Sequence, residues 1–323
     1  MPAITARSPR KTPPAAWKSL PASRSGAASR NLSTCNPSTM TKDSFEVIQE
    51  SGFAALEALA TYQYLTAQQL ADIGVLSSAK NIRDRVLPRL LSKSRPLVRY
   101  VQFPTHPTKG ALSRVYALTQ RGAGILAEHL RLDPEAIRFP VGGIQFTHDY
   151  FHRLAFVDFH IALRKWASAT GSQVEFVDAY FEKIGAQRSG RPLTAKTQVR
   201  TETLNIIADG VFRVQIGEKR RLCVVEIHNN WESAKITEQL NRHITAVSKG
   251  LFAAKYQHPS PNFILSVHEN QTTLDSTRKR LLQLPDFADF LPLVAFNLQS
   301  AVKEDFGNGW ITADGSHSTI FSV

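Results

Sequence analysis

Cysteine is nearly absent: in 323 residues only Cys35 and Cys223 carry a thiol. Two thiols build neither a disulfide framework nor a Cys-based zinc site, and a chain that needs neither suits a reducing cytoplasm. No apolar run approaches the ~20 residues of a bilayer-spanning helix, so a soluble chain that avoids membranes is expected. Acids are also in deficit, 27 against 39 Lys and Arg, which leaves a formal net charge of +12. Such an excess gains from displacing the counterions of a polyanion, and nucleic acid becomes the leading partner class. What is abundant is apolar sequence. Hydrophobic residues make up 42% of the chain, enough for a core in each of the two domains this length suggests.

Residues 1–42 form a basic tail. Up to Thr39 it contains no acid, is rich in Ser, Pro, Ala and Arg, and has little patterned hydrophobicity, so disorder is expected. Three readings compete: a basic arm for nucleic acid, a transit peptide, or sequence upstream of a true start at Met40. Pro2, Pro9, Pro13, Pro14 and Pro21 break the amphipathic helix that a transit peptide needs.

The first patterned unit spans 43–132. In "FAALEALATYQYL", Leu56, Leu59 and Tyr62 recur at helical spacing. Thr66 and Gln69 then make a capping box for "AQQLADIG", which Gly74 stops. Ser77 and Ser78 start a third helix, "AKNIRDRVLPRLLSKS". It buries Ile82, Val86 and Leu90 and leaves Lys80, Asn81, Arg83 and Arg85 outside, with a kink expected at Pro88. Two strands, "PLVRYVQF" and "SRVYALT", flank a Pro- and Gly-punctuated loop, and a closing helix follows.

This order resembles winged-helix DNA-binding domains. Tyr116, Leu118, Thr119 and Gly122 match their "Y-x-L-T-x-x-G" entry to the last helix. The resemblance implies a third helix in the major groove of double-stranded DNA, with Ser78, Lys80, Asn81 and Arg83 near base edges and Arg99, Lys109 and Arg114 near phosphates. A winged helix serving protein contacts, its charges merely solvated, is the alternative.

A linker is expected at 133–144 and a second unit at 145–300, leaving 301–323 as a C-terminal tail. Helix "QFTHDYFHRLAFVDFHIALRKWA" places His148 and His152 among aromatics, and a strand "QVEFVDAYFE" and a basic loop from Lys183 to Arg200 follow. In "IIADGVFRVQIGEKRRLCVVEIHNN" the turn is expected at "GEKRR" rather than at Asp209-Gly210, because apolar alternation continues from Val211 to Ile216. An antiparallel pair turned there brings Asp209 beside Glu226, and alternation sets Val224, Glu226 and His228 on one face. A helix from about Glu232 to Lys249, strand "NFILSVH", helix "TTLDSTRKRLLQL" and strand "LPLVAFNL" complete an α/β (α+β) order.

That order is similar to the restriction-endonuclease-like superfamily, which implies a mixed central sheet and two carboxylates, Asp209 and Glu226, that hold Mg²⁺. His228 stands where that pattern has Lys. The whole, from about Leu56 to Leu265, resembles the replication-relaxation family of plasmid mobilisation and replication proteins. The residues carrying this are the helix from His152, Asp209 with Gly210, and Glu226 with His228. The family implies origin binding and relaxase-like nicking, with a homodimer or relaxosome proteins as further partners. His152 or Lys235 would then help His228 position water or phosphate. In the helix after the hairpin, Gln239 and His243 occupy positions where the family suggests Lys and Tyr. The alternatives are a non-catalytic origin-binding or transcriptional regulatory protein, Asp-Gly as a plain turn, and Glu226 and His228 facing water at a strand end.

Overall fold

The computed structural model describes residues 48–91, 94–140, 150–184, 193–229, 232–259 and 262–321. The tail 1–42, His148 and part of the expected linker, 141–144, lie outside them.

Helix α1 (Glu50–Tyr62) buries Leu56, Leu59 and Tyr62, the stripe its spacing predicts. Strand β1 (Leu65–Thr66) runs into α2 (Ala67–Ile73). Thr66 Oγ1 accepts from Gln69 N at 3.1 Å and Gln69 Oε1 accepts from Thr66 N at 2.9 Å, completing the capping box. Gly74, at φ 96°, ends α2 in the left-handed region.

The third helix differs from its sequence reading in one way. It comprises α3 (Ala79–Asn81), a π-helical segment Ile82–Val86 and α4 (Leu87–Leu91), with Leu87 N–H donating to Ile82 O. Pro88 offers no N–H and would crowd the carbonyl four residues back. The ladder widens by one residue just before it, so a π-bulge appears where a kink was expected. Ile82, Val86 and Leu90 stay buried, while Lys80, Asn81, Arg83 and Arg85 are exposed.

β2 (Val98–Val101) and β3 (Val115–Leu118) join β1 in an antiparallel sheet of order β1-β3-β2. Helix α5 (Gln120–Leu130) packs behind it. The Thr119 hydroxyl accepts from Gly122 N at 3.0 Å and donates to Pro96 O at 2.8 Å. A Cβ on Gly122 would collide with the Leu97 carbonyl, which gives both residues of the matched entry pattern a physical reason.

The remaining elements are α6 (Tyr150–Thr170), β4 (Gln173–Ala179), β5 (Lys183–Ile184), β6 (Thr194–Ala195), β7 (Gln198–Arg200), β8 (Asn205–Ile207), β9 (Gly210–Ile216) and β10 (Lys219–His228). They continue with α7 (Ser233–Ser248), α8 (Leu251–Tyr256), β11 (Phe263–His268), α9 (Gln271–Leu281), β12 (Val294–Leu298), α10 (Gln299–Glu304) and β13 (Ile311–Thr312). The fold is mixed α/β, with ten α-helices among the described residues. Its six-stranded sheet has the order β13-β12-β11-β10-β9-β4; β10, β11 and β12 run parallel and the other neighbours antiparallel. One face packs Cys223, Val225 and Ile227 on Phe159 and Leu163 of α6 and Val302 of α10. The opposite face packs Leu222 and Val224 on Ile236 and Leu240 of α7 and Leu274 of α9. Cover on both faces explains why the central strands read as nearly unbroken apolar runs.

Two expectations need correction. The described part of the expected tail 301–323, residues 301–321, belongs to the fold: β13 extends the sheet, and Trp310, Ile320 and Phe321 are buried in the α6-side core. Their burial comes from long-range packing that local pattern does not reveal. The stretch from Lys183 to Arg200 is also more ordered than a loop, since β5 pairs with β6 and β7 with β8; 185–192 lie outside the described residues. Helix α6 serves both halves of the chain. Val157 and Ile161 enter the core built by α1 to α5, while Phe156 and Phe159 enter the sheet's core. No described helix is long and apolar enough to cross a membrane.

Candidate functional site

The hairpin turns at Gly217-Glu218, with Gly217 at φ 56°, inside the "GEKRR" segment expected from the sequence. Its register pairs Ile216 with Lys219 and Gly210 with Val225. Asp209 therefore sits one residue before β9, level with Glu226 near the end of β10. The Asp-Gly pair is no turn. Gly210 is required because the Phe156 ring of α6 lies against its Cα, where any Cβ would overlap it.

Asp209 Oδ2 accepts from Ile227 N at 2.7 Å and lies 3.0 Å from His152 Nε2. His152 Nε2 also meets the Ile227 carbonyl at 3.0 Å, and Nδ1 meets the Tyr180 hydroxyl at 3.2 Å. Burial acts to lower the His152 pKa. The adjacent Asp209 carboxylate outweighs it, through charge and hydrogen bond, with Glu226 and the Ile227 carbonyl adding, and raises it to about 9.

Glu226 is fully buried. Its Oε1 lies 2.8 Å from His243 Nε2 and accepts from Asp209 N at 3.3 Å; its Oε2 accepts from Gln239. Burial pushes its carboxyl above the usual carboxylate range, opposed by His243 and reinforced by Asp209. Gln239 and His243 stand one turn apart on α7, so a single helix face satisfies this carboxyl. A cavity of about 280 Å³, lined by Lys235, Gln239, Arg242 and His243 among others, lies over that face.

His228 shares the Glu226 face of β10, as alternation requires, but its ring meets His268 of β11 at 4.8 Å between centroids. Burial, then the imidazoles of His268, His152 and His243, hold it well below its ordinary pKa, so it supplies no positive charge. Ser266 Oγ lies 2.8 Å from His268 Nε2. Lys235 is exposed on the first turn of α7 and pairs with Glu232 at 2.8 Å. The structure thus gathers Asp209, Glu226 and His152 and leaves His228 and Lys235 outside their hydrogen-bonded group. Sequence reading missed Tyr180, which a strand pattern in "QVEFVDAYFE" does not distinguish. It noticed Gln239 and His243 only as departures, although their four-residue spacing was the available signal.

The residues as arranged do not fit a Mg²⁺ ion. Both Glu226 oxygens are engaged, and a shared ion would have to displace His243 or Gln239 from this buried carboxyl. Among the described residues, no group of three or more His, Cys, Asp and Glu side chains is disposed to hold a metal ion.

On the helical face, Ser78 is an N-cap, its Oγ accepting from Asn81 N at 3.4 Å. Lys80 and Arg83 point outward, Arg83 beside Asp84 at 3.3 Å. Arg114 donates to Gln102 Oε1 at 3.1 Å and lies over Tyr100. Arg99 donates to the Pro140 carbonyl at 2.8 Å. Lys109 lies 3.6 Å from Glu269 and over the Phe151 ring, against the α/β unit rather than outward from it. Comparison with known proteins yields no relative: no family model, no curated protein and no solved structure matches the chain.

Proposed function

We propose that this chain is a double-stranded-DNA-binding protein of the replication-relaxation kind, in which residues 48–132 act as a winged helix and the α/β unit is a restriction-endonuclease-like scaffold. One observation carries the reading. Lys80, Asn81, Arg83 and Arg85 project from one exposed helical face whose opposite side, Ile82, Val86 and Leu90, is anchored in the core. A rigid helix offering cations and an amide at its N-terminal end has the chemistry of major-groove recognition, and the net charge of +12 supplies the background attraction. Lys80→Ala with Arg83→Ala is expected to weaken binding to a preferred duplex about tenfold or more and to relax its sequence preference, as loss of base-edge contacts does. Fluorescence anisotropy on preferred and scrambled duplexes measures both. Unchanged affinity and unchanged preference would sink the reading.

A second reading, strand nicking, has one observation in its favour: Asp209, Glu226 and His152 lie in one hydrogen-bonded group. Because the oxygens of Glu226 are committed to protein donors, nicking of supercoiled DNA by this chain is expected to persist in EDTA. Nicking that needs Mg²⁺ and disappears in Asp209→Ala and Glu226→Ala would restore the metal-dependent route.

A further inference from the structure

A cavity of about 480 Å³ opens at the end of the sheet where the β9–β10 hairpin turns, walled by the start of β10, the residues after α8, the start of β11 and the segment 317–320. Glu226 lies seven residues beyond Lys219 on the same strand, about 23 Å away at the usual rise, so this place is distinct from the Asp209 and Glu226 cluster. Among the described residues that line the cavity there is no Asp or Glu, while Lys219, Arg221 and His317 bring cations or imidazole and Thr319 a hydroxyl. Arg220 borders it too but is held by Glu175 at 2.9 Å. Lys219 and Arg221 pair with no acid among the described residues. Arg221 Nη1 donates to the Thr319 carbonyl at 2.9 Å, which steadies the guanidinium and leaves its remaining N–H groups for a ligand. Burial draws the Arg221 pKa below its ordinary value, so a counter-ion is favoured there.

Two further features narrow the ligand. The His258 ring borders the cavity, and its Nδ1 lies 2.7 Å from the Pro259 carbonyl. A carbonyl only accepts, so Nδ1 carries the proton and Nε2 of the neutral ring is an acceptor. That Nε2 is buried and has no partner, which calls for a donor. Phe263 also lines the cavity, with the Arg221 guanidinium 5.8 Å from its ring centroid, so a flat apolar surface stands beside the cation.

We propose that this cavity binds a mononucleotide, with its phosphates on Lys219 and Arg221, a ribose hydroxyl or base amine donating to His258 Nε2, and its base against Phe263. A nucleotide joins in one molecule the three groups that these walls can satisfy: an oxyanion for unpaired cations, a donor for a lone pair and a planar ring for an aromatic face. Inorganic phosphate offers only the first, and a nucleoside only the other two. The size agrees, since small-ligand cavities run from about 300 to 1,000 Å³. A nucleic-acid strand fits less well, because its backbone follows cations along an extended groove, whereas Lys219 and Arg221 stand in the wall of a cavity. No bond is made or broken in this site, and nucleotide binding there does not depend on the DNA-binding reading.

The test is isothermal titration calorimetry of the full chain in EDTA. The probes are the 5′-diphosphates of adenosine, guanosine, cytidine and uridine, together with pyrophosphate and a short oligothymidylate. At least one diphosphate is expected to bind with a Kd below about 1 mM, and about tenfold or more tighter than pyrophosphate. Lys219→Glu should weaken that nucleotide about tenfold or more, as loss of a charge-assisted contact does, while keeping the melting temperature of the unliganded chain. His258→Phe keeps a ring but removes the acceptor, and should erase most of the margin over pyrophosphate. No binding of any diphosphate at about 1 mM, equal affinity for pyrophosphate, or tighter binding of the oligothymidylate overturns the proposal. Unchanged nucleotide affinity in Lys219→Glu overturns it as well.

Discussion

Replacing Glu226 with Ala is expected to remove about 3–5 kcal/mol of folding stability, read as a lowered urea midpoint. Three donors converge on this carboxyl, from His243, Gln239 and the backbone of Asp209, in a site with no solvent exposure. Truncation leaves the buried His243 and the Asp209 amide facing a cavity, and buried donors without acceptors carry their full desolvation cost. A domain's whole stability is of order 5–15 kcal/mol, so the loss is a large part of it. Glu226→Gln keeps the volume and one acceptor oxygen, and its loss should be nearer 1–2 kcal/mol, on the order of one imperfect hydrogen bond. A double-mutant cycle with His243→Ala should show strong coupling, because both changes break the same contact. A loss under about 1 kcal/mol for Glu226→Ala would mean that the carboxyl is solvated rather than enclosed.

This enclosure bears on what the α/β unit does. A carboxylate poised for an ion keeps oxygens open toward the ion. Glu226 instead joins β10 to α7, and Asp209 joins the start of β9 to α6 through His152. The two acids sit back to back, linked by Asp209 N–H, and each is answered by an imidazole from a different helix. That arrangement ties both helical layers to the strand ends.

Local chemistry was legible in the sequence where it depends on neighbours along the chain. The capping box at Thr66 and Gln69, the Gly74 stop and the turn at Gly217-Glu218 all follow from side chains within a few positions of the backbone they serve. The pairing of Asp209 with Glu226 was legible as well, because hairpin register converts sequence distance from the turn into spatial opposition. His228 shows the boundary. Alternation placed its face, but its neighbour, His268, comes from the parallel strand β11, and no local pattern specifies which strand lies alongside. Tyr180 and His152 are 28 positions apart and meet only because α6 packs on the sheet whose edge strand, β4, leads into Tyr180. The burial of Phe321 has the same origin, since its ring meets Trp166, far back in the chain on α6.

The contact between His152 and Asp209 should make stability fall in alkaline solution. Its sign follows from the ring: the folded-state pKa is raised from 6.5 to about 9, so the folded protein holds this proton more tightly than the unfolded chain does. The stabilisation is fully present below about pH 6.5 and is lost as pH rises through about 9. A shift of this size corresponds to about 3 kcal/mol, as an order of magnitude for a side chain 26% exposed. Urea midpoints taken from pH 6 to pH 10 for wild type and His152→Gln should converge as pH rises, because the variant never had the charged contact to lose. Asp209→Asn should flatten the difference similarly, since it removes the charge that raises the ring's pKa. A wild-type-to-variant gap that stays constant across this range would show that His152 is neutral throughout.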